Sequence, residues 1–352
     1  MTIDIRPAGR LANGQDVCVI EMSNSFMVAR FLNLGATLWQ LVPRGHASDD
    51  GICLFHRDPL TYAHNVPYLG CTVGPLANRV ANSTFTLAGR THNLMPNEGP
   101  NHLHGGPTGF GHRVWEFATD PASNSVTFRL NRPDGEGGYP GNLDIDVIWT
   151  LEENSLRFAW AASADRATPV SLANHTYWNL AGTGTIEDHH LELDAAEVVG
   201  VDDDLIPTGV LEPIAGTPFD LSHCPRIGDA IRPLDMGGID HCYALRPGSQ
   251  AQLTEAGSGL RLEVESSLPG LQVYTGHQLD RSAEQGGYGP LSGLCLETQF
   301  FPDAINHPHF ATPVVEVDAT MRHWTNYTLH GISPTDKDSP TRGGPSGNHP
   351  DV

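Results

Sequence analysis

The sequence has few basic residues, no closely paired cysteines and no long hydrophobic run. Only 20 Lys and Arg residues stand against 41 Asp and Glu residues, and the formal charge of −21 argues against a nucleic-acid partner or an anionic membrane surface. No segment is apolar for long enough to span a bilayer, and the N-terminus lacks the apolar centre of a signal peptide. The six cysteines include no C-x-x-C pair, and several have apolar neighbours. We therefore expect buried free thiols in a reducing compartment, the cytoplasm.

Apolar stretches at helical spacing are also missing, and short alternating segments take their place. In residues 125–130, for example, Val126, Phe128 and Leu130 share one face. Comparable strand-like segments lie at 17–22, 27–32, 144–149, 156–160, 191–193, 260–265, 271–274 and 314–317. Together with 38 glycines and 27 prolines, this pattern predicts an all-β chain, either a large antiparallel β-sandwich or a barrel.

The composition predicts one domain followed by a tail. No linker-like change divides residues 1–332, which we expect to form a single β domain. Residues 333–352 consist mostly of Ser, Thr, Pro, Gly and charged residues. Such a segment cannot bury enough apolar surface to become ordered by itself.

The most distinctive stretch is 174–182, NHTYWNLAG, which follows a strand-like run at 169–173. The aromatic faces of Tyr177 and Trp178, beside amide groups, suit a polyhydroxylated ligand. His175 could also move a proton near neutral pH. The alternative is a sheet edge whose aromatic side chains belong to the core and whose histidine is a structural donor.

Two further segments carry polar groups inside apolar or glycine-rich surroundings. Asn78 and Arg79 lie in the run 74–80, where the guanidinium could bind vicinal hydroxyls or could form an internal ion pair. His102 and His104 are two residues apart and would share one face of a strand. They could bind a metal, but no Cys, Asp or Glu lies next to them. The glycines at 105 and 106 instead predict a turn that presents His104.

Three segments towards the middle and end of the chain carry carboxylates. Residues 132–141, RPDGEGGYPG, lack the spacing of an EF-hand calcium loop and predict a turn between strands. Asp240 follows a glycine pair and could be a solvated turn residue or a ligand-binding residue. Glu297 follows the apolar run 294–296, so we expect it in a semi-buried pocket where desolvation raises its pKa towards that of a general base. The alternative for Glu297 is a buried ion pair with Arg79.

Taken together, these groups have the composition of an acid–base site for a neutral polyol. Their motifs resemble those of the aldose 1-epimerase, or galactose mutarotase, family. The resemblance spans 78–299 and rests on NRV at 78–80, NHLHGG at 101–106, DGEGGYPG at 134–141, NHTYWNLAG at 174–182, DH at 240–241 and LETQ at 296–299. Weaker similarity is present in IPTG at 206–209, TPFD at 217–220 and QVYTG at 272–276.

The resemblance implies a galactose mutarotase-like supersandwich, a large antiparallel β-sandwich with an open sugar cleft. It implies interconversion of the anomers of a free aldose, a hexose such as galactose or glucose or else a pentose, without cofactor or metal. Glu297 would be the general base at the C1 hydroxyl, His175 the general acid at the ring oxygen, and His104 an assisting group. Asn78, Arg79, Asp240 and Gln272 would hold sugar hydroxyls. We expect a monosaccharide as the partner and a monomer or homodimer.

The sequence departs from the family at two places near these motifs. Pro75 replaces an Arg that members usually carry, and 276–279 reads GHQL where GNFL is common, so His277 replaces an Asn. These changes leave the preferred sugar open among galactose, glucose, arabinose, xylose and other aldoses. The rival interpretations are a non-catalytic sugar-binding module, a metal-dependent isomerase using His102 and His104, and an epimerase for a phosphorylated sugar. One Arg and no Lys among the cleft residues disfavour the last.

Overall fold

A computed structural model describes residues 2–246 and 248–334. The tail predicted at 333–352 falls outside the described residues except for its first two positions. Within the described part, no helix is both long and apolar enough to cross a membrane.

Strands are the main regular structure of the described chain, which also has one five-residue α-helix and several short 3₁₀ helices. The strands are β1 (Thr2–Arg10), β2 (Asp16–Ser23), β3 (Met27–Leu32), β4 (Thr37–Pro43), β5 (Thr72–Val73), β6 (Arg79–Val80), β7 (Thr84–Leu87), β8 (Arg90–Asn93), β9 (His102–Leu103), β10 (Glu116–Asp120), β11 (Ser125–Arg132), β12 (Leu143–Glu152), β13 (Ser155–Ala164), β14 (Thr168–Pro169), β15 (Ala173–Asn174), β16 (Tyr177–Trp178), β17 (His190–Leu193), β18 (Ala195–Val201), β19 (Pro207–Pro213), β20 (Asp240–Leu245), β21 (Gln250–Glu255), β22 (Leu260–Ser266), β23 (Gly270–Tyr274), β24 (Leu294–Gln299), β25 (Val314–Val315) and β26 (Thr320–His330). The α-helix is α1 (Ile227–Ile231), and the 3₁₀ helices are Pro59–His64, Ala81–Ser83, Gly106–Thr108, Phe110–His112, Glu136–Gly138, Ala283–Gln285 and Ala304–Asn306.

Three antiparallel sheets contain most of these strands. The largest has eight strands in the order β10-β11-β12-β13-β26-β22-β21-β17. The second has six in the order β16-β24-β23-β20-β18-β19, and β1 to β4 form the third. Every pairing within them is antiparallel. The predicted all-β, antiparallel sandwich is therefore confirmed, and so are most of the strands predicted by alternation. The segment 314–317 is a strand only at its first two residues, β25.

The longest strand, β26, was not predicted, although it lies at the centre of the eight-stranded sheet between β13 and β22. Its sequence, TMRHWTNYTLH, has polar residues on both faces, and only Tyr327 and Leu329 are buried apolar residues. The alternation is therefore too weak to be recognised in the sequence, and pairing with two neighbouring strands determines the structure instead.

The main core joins the three sheets. In β12, alternate residues from Leu143 to Leu151 are buried. The ring of Trp149 lies 5.4 Å from Phe31 of β3, 4.9 Å from Phe158 of β13 and 6.3 Å from Tyr327 of β26. Because one apolar cluster connects all three sheets, the fold supports our proposal of a single domain over 1–332.

The six-stranded sheet has an apolar face and a polar face. In β24, Leu294 and Leu296 belong to the main core, whereas Glu297 lies on the opposite face. In β23, Leu271 and Val273 belong to the same core, and Gln272 and Tyr274 lie on the opposite face. Because successive side chains of a strand face opposite sides, β23 and β24 each have one face in the core and one face that carries polar side chains.

Candidate active site

An open cleft of about 250 Å³ lies over the polar face of the six-stranded sheet. Its floor comes from β16, β20, β23 and β24, and its walls come from β6, β9 and three loops. The residues that line it are Val66, Pro67, Tyr68, Asn78, Arg79, Glu98, Leu103, His104, Tyr177, Asp240, Tyr274, Gln278, Leu279, Gln285 and Glu297. Five of the eight residues that the sequence selected therefore line one cleft.

Strand register fixes the polar floor of the cleft. Gln272 of β23 lies directly opposite Glu297 of β24, and Asp240 of β20 lies opposite Tyr274. The side-chain amide of Gln272 donates to Asp240 Oδ1 at 2.6 Å, while Gln272 Oε1 has no hydrogen-bond partner. Three candidate residues that are far apart in sequence are thus neighbours because their strands pair.

Glu297 is buried yet incompletely hydrogen-bonded. Its side chain is 2% exposed, Oε2 has no hydrogen-bond partner, and Oε1 lies 3.6 Å from His175 Nε2. Burial raises the pKa of Glu297 well above its ordinary value, and the charge of Asp240 raises it further while Arg79 opposes the shift. A carboxyl group whose pKa is raised in this way can exchange a proton with a ligand.

His175 is held by backbone and aromatic contacts beside this carboxyl group. Its N–H donates to the carbonyl of Cys71, and its own carbonyl accepts from the N–H of Gly70. Burial lowers the pKa of His175 to about 4, so its imidazole is neutral at pH 7. Its Nδ1 lies 3.5 Å from the Sγ of Cys295, a thiol whose pKa burial raises well above its usual value. In the tautomer with the proton on Nδ1, this nitrogen donates to the sulfur, and Nε2 can accept a proton from Glu297.

His104 has a defined tautomer because its Nδ1 accepts from the backbone N–H of Asn78 at 3.1 Å. Burial lowers its pKa well below the ordinary value, so the neutral ring carries its proton on Nε2. The turn that presents His104 requires glycine at position 105 for two reasons. Gly105 has a φ of +89°, and a Cβ added to it would lie 1.9 Å from the carbonyl oxygen of Gly74. The ring centroid of His104 is 5.2 Å from that of His175.

His102, in contrast, is a structural residue. Its Nδ1 bonds to the carbonyl of Met95 at 2.7 Å and its Nε2 to the hydroxyl of Tyr139 at 2.7 Å. Both ring nitrogens are occupied, so the metal pair of His102 and His104 considered from the sequence is wrong. Within the described part of the chain, one other group has residue types that can bind a cation: His104, His175 and Glu297. One possible ligand atom of each lies within 4.8 Å of those of the other two.

Arg79 is held by two carboxylates on opposite sides. Its Nε and Nη2 donate to the two oxygens of Glu98 at 2.8 and 2.9 Å, and its Nη1 lies 3.5 Å from Asp240 Oδ2. These two are the ion pairs of Arg79 within the described chain, so the alternative of a Glu297–Arg79 pair is not what the structure shows. The sequence analysis does not identify Glu98 as a site residue. The one signal in the sequence is its position three residues before Asn101, where the 101–106 motif begins.

The structure places Trp178 in the main core rather than in the cleft. Its side chain is 1% exposed, and its ring lies 5.2 Å from Tyr327. The preceding residue, Tyr177, lines the cleft together with Tyr68 and Tyr274. Neighbouring residues of a strand face opposite sides, and this alternation selects Tyr177 as the aromatic group of the 174–182 stretch that can contact a ligand.

The glycine-rich segment at 132–141 is a turn, as predicted. The buried guanidinium of Arg132 donates to the carbonyl oxygens of Tyr139, Pro140 and Gly141. Asp134 accepts from the N–H of Gly141 at 2.6 Å. These bonds stabilise the turn internally and leave it no part in the cleft.

Comparisons with known proteins show similarity in sequence and in fold. A family model described as aldose 1-epimerase matches residues 18–328. Galactose mutarotase from Bos taurus is 40% identical over 291 residues, which cover 80% of this chain and 84% of the relative. Aldose 1-epimerase from Escherichia coli K12 is 34% identical over 305 residues, covering 83% and 88%. The crystal structure of galactose 1-epimerase from Lactobacillus acidophilus has a TM-score of 0.85 at 28% identity, covering 94% of this chain and 99% of that one.

Proposed function

The chain belongs to the aldose 1-epimerase family, and from this premise we propose that it interconverts the α and β anomers of a free aldose by moving one proton between Glu297, His175 and the sugar. It is thus an isomerase, a mutarotase. The observation that carries the mechanism is the buried Glu297, with one unpartnered oxygen and the other 3.6 Å from His175, at the floor of a cleft of monosaccharide size.

Glu297 and His175 act as a pair that shares a single proton. The raised pKa of Glu297 and the lowered pKa of His175 both favour the carboxyl group as the position of this proton. When the proton moves to His175, the same pair becomes a carboxylate base next to an imidazolium acid, with no change in total charge.

The reaction cycle returns the pair to its starting state. In ring opening, the carboxylate of Glu297 takes the proton of the C1 hydroxyl, the C1–ring oxygen bond breaks, and His175 protonates the ring oxygen. The products are an open-chain aldehyde, a protonated Glu297 and a neutral His175. After rotation about the C1–C2 bond, His175 takes the proton back from the C5 hydroxyl while Glu297 protonates the carbonyl oxygen, and the ring closes on the opposite face.

The remaining candidate residues orient the sugar. His104 presents a fixed Nε2–H donor next to His175 and assists at the ring oxygen. Arg79 on the wall and Asp240 on the floor of the cleft bind hydroxyls, and Gln272 keeps Asp240 in place through its 2.6 Å bond. Asn78 uses its side-chain oxygen to accept from the N–H of Arg79, so its NH₂ group is the part available to a hydroxyl.

The charges of the cleft favour a neutral substrate. Three carboxyl groups, of Glu98, Asp240 and Glu297, line it against one guanidinium, of Arg79. A sugar phosphate would add a dianion to this surplus of acidic groups. We therefore propose a free hexose, galactose or glucose, as the first substrates to examine, with arabinose and xylose next.

The required acceleration is within reach of simple acid–base catalysis. Mutarotation already proceeds in water, and a positioned acid and base contribute about 10²–10⁴-fold each. We propose a mechanism that uses only this chain's side chains, without cofactor or metal.

The free thiols support the proposed cellular location. All six cysteines are unpaired, and Cys53, Cys71, Cys242 and Cys295 are buried. Such a set of thiols suits a reducing compartment, and we propose the cytoplasm. We propose a monomer or homodimer.

Polarimetry tests the proposed function directly. Freshly dissolved α-D-glucose and α-D-galactose are followed with and without the protein, in a low-phosphate buffer that contains a chelator. We expect faster relaxation to the same final rotation. Activity that the chelator abolishes would replace the acid–base mechanism by a metal-dependent one. No acceleration with hexoses or pentoses would favour a sugar-binding module instead.

A further inference from the structure

Arg79 is the only cationic side chain that lines the cleft within the described residues, and Glu98 accepts hydrogen bonds from two of its three nitrogens. The two side chains form a bidentate pair through Arg79 Nε and Nη2, at 2.8 and 2.9 Å. The side chain of Arg79 is 10% exposed and that of Glu98 is 34% exposed. A partly buried bidentate pair fixes both the position and the rotation of the guanidinium plane.

The loop that carries Glu98 is itself tightly held. The backbone N–H and carbonyl of Glu98 both bond to Asn101, at 3.1 and 2.9 Å. The side chain of the preceding residue, Asn97, bonds to both the N–H and the carbonyl of Leu103 in β9. Leu103 in turn pairs with Arg79 of β6. The carboxylate of Glu98 is therefore rigidly placed relative to the strand that carries Arg79.

This arrangement leaves one part of the guanidinium for the ligand. With Nε and Nη2 bound to Glu98, Nη1 is the group that faces Asp240, at 3.5 Å from Oδ2. That distance is longer than a good hydrogen bond, so a sugar hydroxyl that contacts both groups would complete the site. If Glu98 were absent, Arg79 could rotate to form a bidentate pair with Asp240 and close this position.

We propose that Glu98 is a positioning residue of the reaction. It holds Arg79 so that Nη1 and Asp240 together bind a hydroxyl of the sugar, and its negative charge partly cancels the effect of the positive charge of Arg79 on Glu297. This proposal rests on the proposed function, because it assigns a role within the same cleft.

The electrostatic part of the role follows from the neighbours of Glu297. Arg79 and Asp240 are its charged neighbours, and the neutral rings of His104 and His175 lie beside it. Burial keeps the remaining titratable groups around it neutral by raising their pKa, namely Cys71, Cys242, Cys295, Tyr177 and Tyr327. The positive charge of Arg79 lowers the pKa of Glu297. The negative charge of Glu98, which is bound to Arg79, opposes this effect.

Two substitutions test the charge of Glu98 and the reach of its side chain. Glu98→Gln keeps the length of the side chain but removes the charge and one of its two acceptor oxygens, so one hydrogen bond to Arg79 is lost and KM should rise as well. Both limbs of the pH profile of kcat/KM should then move to lower pH by about 0.5 unit, a fraction of what a directly adjacent charge produces. Glu98→Asp keeps the charge but is too short for the bidentate pair. We expect KM to rise about tenfold, the effect of misplacing one charge-assisted hydrogen bond, with the pH profile unmoved.

Glu136 provides the matched control. It forms a partly buried ion pair with Arg113 at 2.7 Å, outside the cleft. Glu136→Gln should leave KM and the pH profile of mutarotation unchanged. If the Glu98 variants behave like the Glu136 variant in an active enzyme, the clamp is refuted while the mutarotase function stands. If the unmodified protein does not accelerate mutarotation, the proposed function itself fails.

Discussion

Replacement of Glu297 by Gln is expected to make the protein nearly inactive and, near neutral pH, more stable. The amide has the same shape as the carboxyl group, and the side chain is 2% exposed with Oε2 lacking a hydrogen-bond partner. Loss of the base should lower kcat by about 10²–10⁴-fold, which corresponds to about 3–5 kcal/mol of barrier. The fold should be retained because the one ion-pair contact of Glu297 within the described residues, to His175, is long at 3.6 Å and its Oε2 has no hydrogen bond to lose.

The stability effect has a definite dependence on pH. Folding raises the pKa of Glu297, so its contribution to stability is fully present below the unfolded pKa of about 4.3 and is lost as pH rises through the folded pKa. In that window the wild-type protein loses about 1.4 kcal/mol per pH unit from this group. Gln does not titrate and avoids the loss. The difference in Tm between the variant and the wild type should therefore grow with pH, by about 2 °C for each kcal/mol.

The assay combines polarimetry with thermal unfolding at pH 5, 6, 7 and 8. Glu152, which is exposed at the end of β12, gives the control: Glu152→Gln should keep full activity and change stability by less than about 0.5 kcal/mol. Normal mutarotation by the Glu297 variant would remove Glu297 as the base. A stability difference that stays flat or shrinks as pH rises would show that burial does not hold this carboxyl group protonated.

Three further changes test other parts of the site. His175→Asn removes the acid and should lower kcat about 10²–10⁴-fold in polarimetry, with the Tm nearly kept; full activity would exclude His175 from the proton cycle. Gly105→Ala should cost about 3 kcal/mol or more, because it combines a left-handed φ with a Cβ placed 1.9 Å from a carbonyl oxygen. Gly135→Ala, with a φ of +83° and nothing within 4 Å, is its control and should cost about 1–2 kcal/mol; equal losses in denaturant unfolding would contradict the steric argument. Trp178→Phe should destabilise the core by about 1–3 kcal/mol and leave KM within twofold, whereas a large rise in KM would place its ring in contact with the sugar.

Much of the fold could be predicted because alternation reports burial directly. β11, β12 and β13 each bury every second side chain, and their sequences show it. β26 is the exception, since polar residues occur on both of its faces and its place is set by pairing with β13 and β22. Local sequence contains no information on such partners.

The candidate site could be predicted in composition but not in its contacts. Glu297 was expected in a semi-buried pocket because it follows an apolar run, and the structure places it there. The clamp on Arg79 by Glu98 could not be foreseen, since it depends on the pairing of β6 with β9. The choice between Tyr177 and Trp178 also required the structure, because the sequence of β16 shows two aromatic residues without indicating which one faces the core.

The position of the proposed acid–base pair within the sheets has a consequence for inactivation. β24, which carries Glu297, lies between β16 and β23 and is buried at all six positions. Amide groups of such a strand exchange with solvent only in global unfolding, whereas the cleft-rim residues 278–285 lie in a loop that can open locally. In rising denaturant, selectivity among sugars should therefore change first, and the ability to move the proton should persist until the molecule unfolds as a whole.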